Sequence, residues 1–235
     1  FDYNDIVSVA AEGKSFAADI AQQQITDIKG ETKLVAAGIK VPAMGSVNVK
    51  LCDGAPQGKS AFVYDGTNLE TPFAKVVFNE KGYISSFIDK SNGRELVKEG
   101  SAFGALLYGQ DVPQSWDNWD IDADLECKFA DNSVLLSREI VSHGAAAVVI
   151  RSKYQITQKS TVTQDAFCFA DSAEIRFDTV MDWQDNHRFL KAAFDTNIYS
   201  NFARFEIQYG NVMRPTTRND SVEKAKFEVV NHKFT

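Results

Sequence analysis

The stretch EIRFDTVMDW, residues 174–183, decides the fold class because its side chains alternate between apolar and polar. The odd positions are mostly apolar, and the even positions are mostly charged. Successive side chains of a β-strand point to opposite faces, so the stretch predicts a strand with one buried and one wet face. This alternation is typical of antiparallel sheets, whereas the strands of parallel sheets are buried on both faces.

The same alternation recurs elsewhere in the chain and extends the prediction. Residues 203–209 (ARFEIQY) and 225–229 (AKFEV) repeat it, and each predicts another strand. Residues 73–78 (FAKVVF) and 83–89 (YISSFID) flank the turn-forming residues Asn79 to Gly82, an arrangement that favours a β-hairpin. Since long helical periodicity is hard to find, the sequence predicts an all-β fold.

The chain divides best at residues 53–60, DGAPQGKS, which combine two glycines and a proline with little that could be buried. This stretch predicts a small β-sandwich module at residues 1–60 and a larger β unit at 61–235. Within the small module, residues 17–25 could form a short helix, but their neighbours favour strand. We expect a module of this size to need a neighbour that buries its inner face.

Composition limits the classes of partner. The 25 basic and 32 acidic residues give a net charge of −7, and the acidic residues are dispersed. Nucleic acid is therefore disfavoured as a partner, because phosphate binding needs a basic stripe. No run of about 20 apolar residues is present, so no membrane span is expected. The first ten residues lack the basic and apolar regions of a signal peptide.

The three cysteines, Cys52, Cys127 and Cys168, are far apart and odd in number. Cys52 and Cys168 lie in apolar stretches, so we expect both to be buried, reduced thiols. Reduced cysteines favour a cytoplasmic location over an oxidising one.

The densest unusual feature is the segment PQSWDNWDID, residues 113–122, here called the tryptophan loop. Two tryptophans and three carboxylates fall within seven residues of it. Sugar recognition uses this mixture, since indole faces pack on pyranose rings and carboxylates accept hydrogen bonds from hydroxyls. Paired carboxylates could also serve as acid and base at a glycosidic bond. The alternative is structural: Trp116 and Trp119 anchor the loop, and the aspartates cap turns.

A second candidate lies at residues 209–219, which we interpret as a loop between two strands. It carries two arginines, and Arg214 could bind a substrate oxygen or a carboxylate in its fork geometry. Structural pairing with an aspartate is the alternative. His143, His187 and His232 are isolated in sequence and belong to no zinc-binding pattern, so spacing supports no metal site in this chain. We interpret His187 as a turn or strand-end residue.

The sequence around these candidate site residues, and in several other stretches, resembles the C-terminal half of the enzymes of glycoside hydrolase family 38, the α-mannosidases. Residues 1–60 fit the family's small β module more weakly, and the remaining matches keep the family's order. The stretches that carry the resemblance are Gly82–Lys90 with Gly93–Leu96; Trp116–Asp122; Ile175–Phe177, Asp182–Trp183, His187 and Leu190–Lys191; and Glu206–Gly210, Arg214–Thr216 and Ala225–Glu228.

The resemblance implies an antiparallel supersandwich like that of galactose mutarotase for residues 61–235, truncated at its C-terminal end. It also implies that the parent enzyme hydrolyses α-mannosidic bonds with retention, using a divalent metal, zinc in most members. In retaining glycosidases one carboxylate attacks the anomeric carbon while a second serves as acid and then base. The family's nucleophile and metal ligands belong to an N-terminal catalytic domain, and nothing in this chain matches them.

The sequence therefore predicts a non-catalytic C-terminal part of an α-mannosidase, inactive alone, that braces the parent's catalytic domain. We expect Trp116, Asp117, Trp119, Asp120 and Arg214 to line the sugar cleft. We also expect the isolated chain to self-associate through exposed apolar surface. The alternatives are a free-standing carbohydrate-binding module and a mutarotase-like enzyme. The latter would need a histidine and a carboxylate converging in a cleft.

Overall fold

The computed structural model describes residues 6–23, 32–53, 58–117 and 119–235. Its regular structure is almost entirely β-strand, which confirms the all-β prediction. Within the described part of the chain, four strands precede residue 58 and form one antiparallel sheet in the order β3-β2-β1-β4, here called the small sheet. They are β1 (Ile6–Ala11), β2 (Lys14–Gln23), β3 (Thr32–Ala36) and β4 (Val49–Asp53).

Thirteen strands, one short 3₁₀ helix and one short α-helix follow residue 58. In chain order they are β5 (Val63–Tyr64), β6 (Asn68–Glu70), β7 (Ala74–Phe78), β8 (Ile84–Asp89), β9 (Arg94–Glu95), β10 (Phe103–Gln110), the 3₁₀ helix (Ala123–Lys128), β11 (Val134–His143), β12 (Ala147–Gln155), β13 (Thr161–Phe169), β14 (Ile175–Asp182), β15 (Arg188–Phe194), β16 (Phe202–Ile207), β17 (Gly210–Pro215) and α1 (Ser221–Ala225).

These strands form a sandwich and a separate hairpin. One sheet has the order β15-β10-β8-β7-β6-β5, with β9 paired to β8, and the other has the order β11-β12-β13-β14. Strands β16 and β17 pair only with each other among the described residues. The predicted hairpin at residues 73–89 is confirmed as β7 and β8, and the strand predicted at residues 174–183 is confirmed as β14.

The main core lies between the two large sheets. Val76 and Ile84 of the seven-stranded sheet pack in one cluster with Val148, Ile150 and Cys168 of the four-stranded sheet. Each of these side chains is nearly inaccessible to solvent. The inward residues of β12 alternate with outward ones, as the pleat of a strand requires.

The outward face of β12 and β13 is also buried. Val149 and Phe167 on that face pack with Val35 of the small sheet and with Val141 and Phe169. This second covering explains why Ala147 to Ile150 is a continuous apolar run inside an antiparallel sheet. The small sheet thus buries apolar surface against the sandwich, while the predicted domain limits, 1–60 and 61–235, remain predictions.

Two local predictions near the end of the chain are wrong. Residues 225–229 are not a strand, because α1 ends at Ala225 and coil follows. Asp220 caps this short helix, with its side chain accepting a hydrogen bond from the Glu223 N–H at 2.8 Å. The interval 209–219 is not one loop, because Gly210–Pro215 forms β17 and pairs antiparallel with β16. Tyr209, with a φ of 58°, makes the tight turn between them.

The remaining local predictions have mixed outcomes. Residues 17–23 are strand rather than helix, while residues 24 and 25 lie outside the described part. Residues 54–57 of the predicted linker also lie outside it. Cys168 is buried as predicted, but Cys52 is half-exposed, so that prediction is wrong. All three cysteines are free thiols.

Candidate functional site

The tryptophan loop leaves the seven-stranded sheet where β10 meets β15. Gln110, the last residue of β10, pairs with Arg188, the first residue of β15. The Asp111 N–H donates to the His187 carbonyl at 2.9 Å, which extends this pairing by one step. His187 has a φ of 51°, so the chain turns sharply as it enters β15. The loop therefore begins beside a residue some 70 positions later in sequence.

Backbone hydrogen bonds fold the loop into a compact turn. The Trp116 carbonyl accepts from the N–H groups of Trp119 and Asp120, at 2.8 and 3.0 Å. Asp120 accepts from the Ile121 N–H, and Asp122 accepts from the Gln114 N–H, each at 3.0 Å. Two of the three carboxylates therefore cap turns within the loop, as the structural alternative anticipated.

The two indoles do not anchor the loop to the sandwich in this chain. Trp116 is 76% exposed and Trp119 is 89% exposed. Trp116 also has a φ of 59°, an uncommon conformation for a bulky residue. Large apolar side chains held this far into solvent provide a surface on which a sugar ring or another protein domain can pack.

Asp117 contacts a residue that the sequence did not assign to the site. Its Oδ2 lies 3.6 Å from the Nδ1 atom of His187, and both side chains are more than half exposed. A mutarotase-like site would also need a histidine and a carboxylate, so this pair has the right residue types for one. The two groups contact each other rather than flank a substrate-sized gap, so their geometry does not place an acid and a base around a sugar.

The 3₁₀ helix that follows the loop contacts the sandwich and also Arg218, which lies after β17. Leu125 is buried, and its N–H donates to the Asp122 carbonyl at 3.0 Å. Glu126 forms a two-point ion pair with Arg218, with nitrogen–oxygen distances of 2.6 and 2.8 Å. The hydrogen bonds from Arg218 hold the pKa of the Glu126 carboxyl below its usual value, with a smaller contribution from Lys191.

Arg214 occupies a different place. It lies on β17, where its guanidinium stacks on the Phe205 ring at 5.5 Å. Within the described residues, no hydrogen bond, ion pair or ring contact joins it to the tryptophan loop, and its Nε atom is buried without a hydrogen-bond partner. The structure thus brings Trp116, Asp117, Trp119 and Asp120 together in one loop but does not join Arg214 to them. The neighbouring Arg218 makes the carboxylate contact instead.

The described residues include no group of three or more His, Cys, Asp and Glu side chains that could hold a metal ion. No helix in this part of the chain is both long and apolar enough to cross a bilayer.

Residues 69–235 match the profile of the glycosyl hydrolases family 38 C-terminal domain. The chain belongs to this family. It is 30% identical over 208 residues to alpha-mannosidase 2C1 of Homo sapiens, an alignment that covers 83% of the chain and 20% of that relative. It is 33% identical over 173 residues to alpha-mannosidase G of Dictyostelium discoideum, covering 71% and 16%. The alpha-mannosidase of Saccharomyces cerevisiae is 29% identical over 171 residues, covering 68% and 16%.

The predicted resemblance to family 38 is therefore confirmed. The chain spans at most about a fifth of the length of these family 38 relatives. The match begins at β6, so it includes the whole tryptophan loop and both of its attachment points, at His187 and at Arg218.

Proposed function

We propose that this chain is a non-catalytic C-terminal part of an α-mannosidase, which braces the catalytic domain and supplies part of the wall of the sugar cleft. The observation that carries the proposal is the tryptophan loop, where two exposed indoles and Asp117 share one compact turn within the family 38 match. Indoles pack on the apolar faces of pyranose rings, and a carboxylate accepts hydrogen bonds from hydroxyls.

The proposal assigns the chemical step to the rest of the parent enzyme. The part of each relative outside the alignment is about four-fifths of its length. Retaining hydrolysis needs a nucleophilic carboxylate and an acid/base carboxylate about 5 Å apart on either side of the glycosidic bond. In the tryptophan loop, Asp120 and Asp122 cap turns and Asp117 pairs with His187. We place the nucleophile and the divalent metal, zinc in most members, in the N-terminal catalytic domain.

Activity of the isolated chain tests this division. Purified chain is expected to release no product from an aryl α-mannoside, with or without added zinc. Turnover that a chelator abolishes would contradict the proposal. The parent enzyme, purified in parallel from the same host, is the positive control.

A second test concerns the polar residues proposed for the cleft wall. In the parent enzyme, Asp117→Ala and Asp120→Ala are expected to raise KM for the mannoside, since each removes an acceptor near the sugar. Arg214→Ala is also expected to raise KM, because it removes a hydrogen-bond donor supplied by β17. Unchanged kinetics with a lower melting temperature would leave these residues a structural role alone.

The exposed indoles also favour a second candidate, a carbohydrate-binding module that acts without the parent's active site. Trp116 and Trp119 are accessible in the chain as it stands. This candidate predicts measurable affinity of the isolated chain for mannose oligosaccharides by calorimetry, lost in a Trp116→Ala/Trp119→Ala variant. The favoured proposal predicts that sugar contact needs the catalytic domain and that the isolated chain gives no measurable heat.

Three further proposals concern the partners, the cellular location and the self-association of the protein. The carbohydrate and the parent's own catalytic domain are the proposed partners, and nucleic acid and membrane are not. We place the parent enzyme in the cytoplasm, on the grounds of three free thiols. The isolated chain is expected to self-associate, because Ile198, Tyr199 and Phe202 before and within β16 are exposed. A single monomeric species over a wide concentration range in sedimentation would contradict this expectation.

A further inference from the structure

Residues 216–228, here called the 216–228 segment, are attached to the 3₁₀ helix that follows the tryptophan loop. Arg218 donates from Nη1 to Glu126 Oε2 at 2.8 Å and from Nη2 to Glu126 Oε1 at 2.6 Å. This is the two-point geometry in which an arginine recognises a carboxylate most specifically. The partners are 92 residues apart in sequence, so the contact joins two distant segments.

A second attachment lies at the other end of the 216–228 segment. Lys191 of β15 forms an ion pair with Glu228. The Lys191 ammonium also lies 5.3 Å from the Phe129 ring centre and 5.2 Å from that of Phe189, within the range of cation–π attraction. Arg218 links the two ends, because its Nη2 donates to the Phe227 carbonyl at 3.3 Å.

A continuous set of contacts leads from Arg218 to the tryptophan loop. Glu126 lies in the 3₁₀ helix, which begins directly after Asp122. The Asp122 carbonyl accepts from the Leu125 N–H inside that helix. The Asp122 carboxylate accepts from the Gln114 N–H, at the start of the loop. A shift of the 3₁₀ helix therefore moves the residue that closes the tryptophan loop.

We infer that Arg218 is a positioning residue for the tryptophan loop, acting through its two-point ion pair with Glu126. The loop's attachment through Asp117 and His187 is a single contact of 3.6 Å. Among the described residues, the Arg218–Glu126 pair is therefore the better defined side-chain restraint. The structural part of this inference stands by itself. Its consequence for sugar binding rests on the proposed function.

Amide hydrogen exchange of the isolated chain tests the structural part. Arg218→Gln and Glu126→Gln are each expected to speed exchange at residues 113–128 by about two- to fivefold, the range for an exposed ion pair. The matched control is Arg176→Gln, because Arg176 makes a two-point pair with Asp178 and has a similar exposure. That variant is expected to leave exchange at residues 113–128 unchanged. Unchanged exchange in both Arg218→Gln and Glu126→Gln would overturn the inference.

Charge exchange separates positioning from a general loss of stability. Glu126→Arg combined with Arg218→Glu restores the pair in reverse, and it is expected to bring exchange at residues 113–128 back toward the wild-type rate. Each single reversal is expected to speed exchange more than the neutral variants. Failure of the double variant to recover, when both single variants fold, would count against the pair as the cause.

Kinetics in the parent enzyme test the functional consequence. Arg218→Gln is expected to raise KM for a mannoside more than it lowers kcat, because the loop would be displaced but the catalytic groups would not. Faster exchange in the isolated chain with unchanged kinetics of Arg218→Gln and of the tryptophan variants would overturn the proposed function and leave the positioning role intact. Unchanged exchange would overturn the positioning role whatever the kinetics show.

Discussion

Arg151 and Asp165 face each other across β12 and β13 and form a two-point ion pair inside the protein. Arg151 Nε lies 2.7 Å from Asp165 Oδ1, and Nη2 lies 2.8 Å from Oδ2. The Asp165 side chain is fully buried, and that of Arg151 is 14% exposed. The pair shares a face with Val149 and Phe167, the face that packs on the small sheet. A charged pair therefore lies beside the apolar contact between the small sheet and the sandwich.

Breaking this pair is expected to destabilise the chain strongly. Arg151→Met removes the two-point contact that Arg151 makes with the buried Asp165 carboxylate, and is expected to cost about 3–5 kcal/mol of unfolding free energy. Arg151→Met combined with Asp165→Leu removes both charges and is expected to cost much less. Urea unfolding followed by circular dichroism measures these differences.

The pair of Arg176 with Asp178, in which the arginine is 48% exposed and the aspartate 19% exposed, provides the control for this prediction. Arg176→Met is expected to cost clearly less than Arg151→Met, because the Arg176–Asp178 pair is more accessible to solvent and water screens its charges better. A cost for Arg151→Met as small as that of Arg176→Met would show that the buried pair does not hold the sheet as described.

Two glycines with similar backbone conformations are expected to differ in their tolerance of alanine. Gly82 has a φ of +80° and Gly93 one of +72°, so each substitution carries the strain of a left-handed residue, about 1–2 kcal/mol. A Cβ on Gly82 would lie 2.9 Å from the Tyr154 hydroxyl and 3.1 Å from a Leu135 methyl carbon. A Cβ on Gly93 would meet no atom within 4 Å.

Gly82→Ala is therefore expected to cost about 1–3 kcal/mol more than Gly93→Ala, because it adds overpacking in a filled core. The two urea midpoints, measured on otherwise identical chains, give this difference directly. Equal midpoints would mean that Tyr154 and Leu135 can move aside without cost.

The three thiols are expected to react at widely different rates with a thiol reagent under native conditions. Cys127 is exposed, Cys52 is half-exposed and Cys168 is buried. Burial also raises the pKa of the Cys168 thiol to about 12, which suppresses the reactive thiolate. The expected order is Cys127, then Cys52, with Cys168 reacting only after denaturation. Fast native labelling of Cys168, located by peptide mass spectrometry, would contradict the described core.

Alkaline pH is expected to destabilise the fold through two buried acids. Burial raises the pKa of Cys168 from 9.0 to about 12 and that of Tyr83 from 10.0 to about 12. Because both pKa values are higher in the folded state, folding favours the protonated forms. Their contribution is complete below the unfolded pKa values and is lost as pH rises from about 9 toward 12.

Melting temperatures measured from pH 8 to pH 12 check this expectation. The wild-type curve is expected to fall above pH 9, and Tyr83→Phe is expected to fall less steeply above pH 10. The variant also loses the Tyr83 hydrogen bonds to Ser133 and Asp131, so its value at pH 8 serves as its own reference. Parallel curves for the two proteins would exclude Tyr83 as a source of the alkaline loss.

The sequence predicted the strands well where side chains have two distinct environments. In β14, which was predicted correctly, Ile175 and Phe177 pack against the main core while Arg176 between them is exposed. The same alternation gave a wrong prediction of a strand at residues 225–229. The 216–228 segment lies along the surface there, and Asp220 caps a short helix instead. In an exposed segment, an alternating pattern does not favour a strand, because neither set of side chains is buried by forming one.

The candidate site could be predicted only in part, because its parts come from distant segments. The composition of the tryptophan loop was visible in sequence, and so were its turn-capping aspartates. The contact of Asp117 with His187 depends on the pairing of β10 with β15, across some 70 residues. The contact of Arg218 with Glu126 spans 92 residues. No local pattern indicates which of two arginines, Arg214 or Arg218, finds the carboxylate.

The central claim, that the tryptophan loop forms part of the sugar cleft, is tested most directly by steady-state kinetics of the parent enzyme on an aryl α-mannoside. Trp116→Ala and Trp119→Ala are compared with Tyr209→Ala, which removes a still more exposed aromatic side chain at the turn between β16 and β17. We predict that at least one tryptophan variant lowers kcat/KM by about tenfold, equivalent to about 1.4 kcal/mol, while Tyr209→Ala leaves it unchanged. Unchanged kcat/KM in both tryptophan variants, with the enzyme still folded, would contradict the claim.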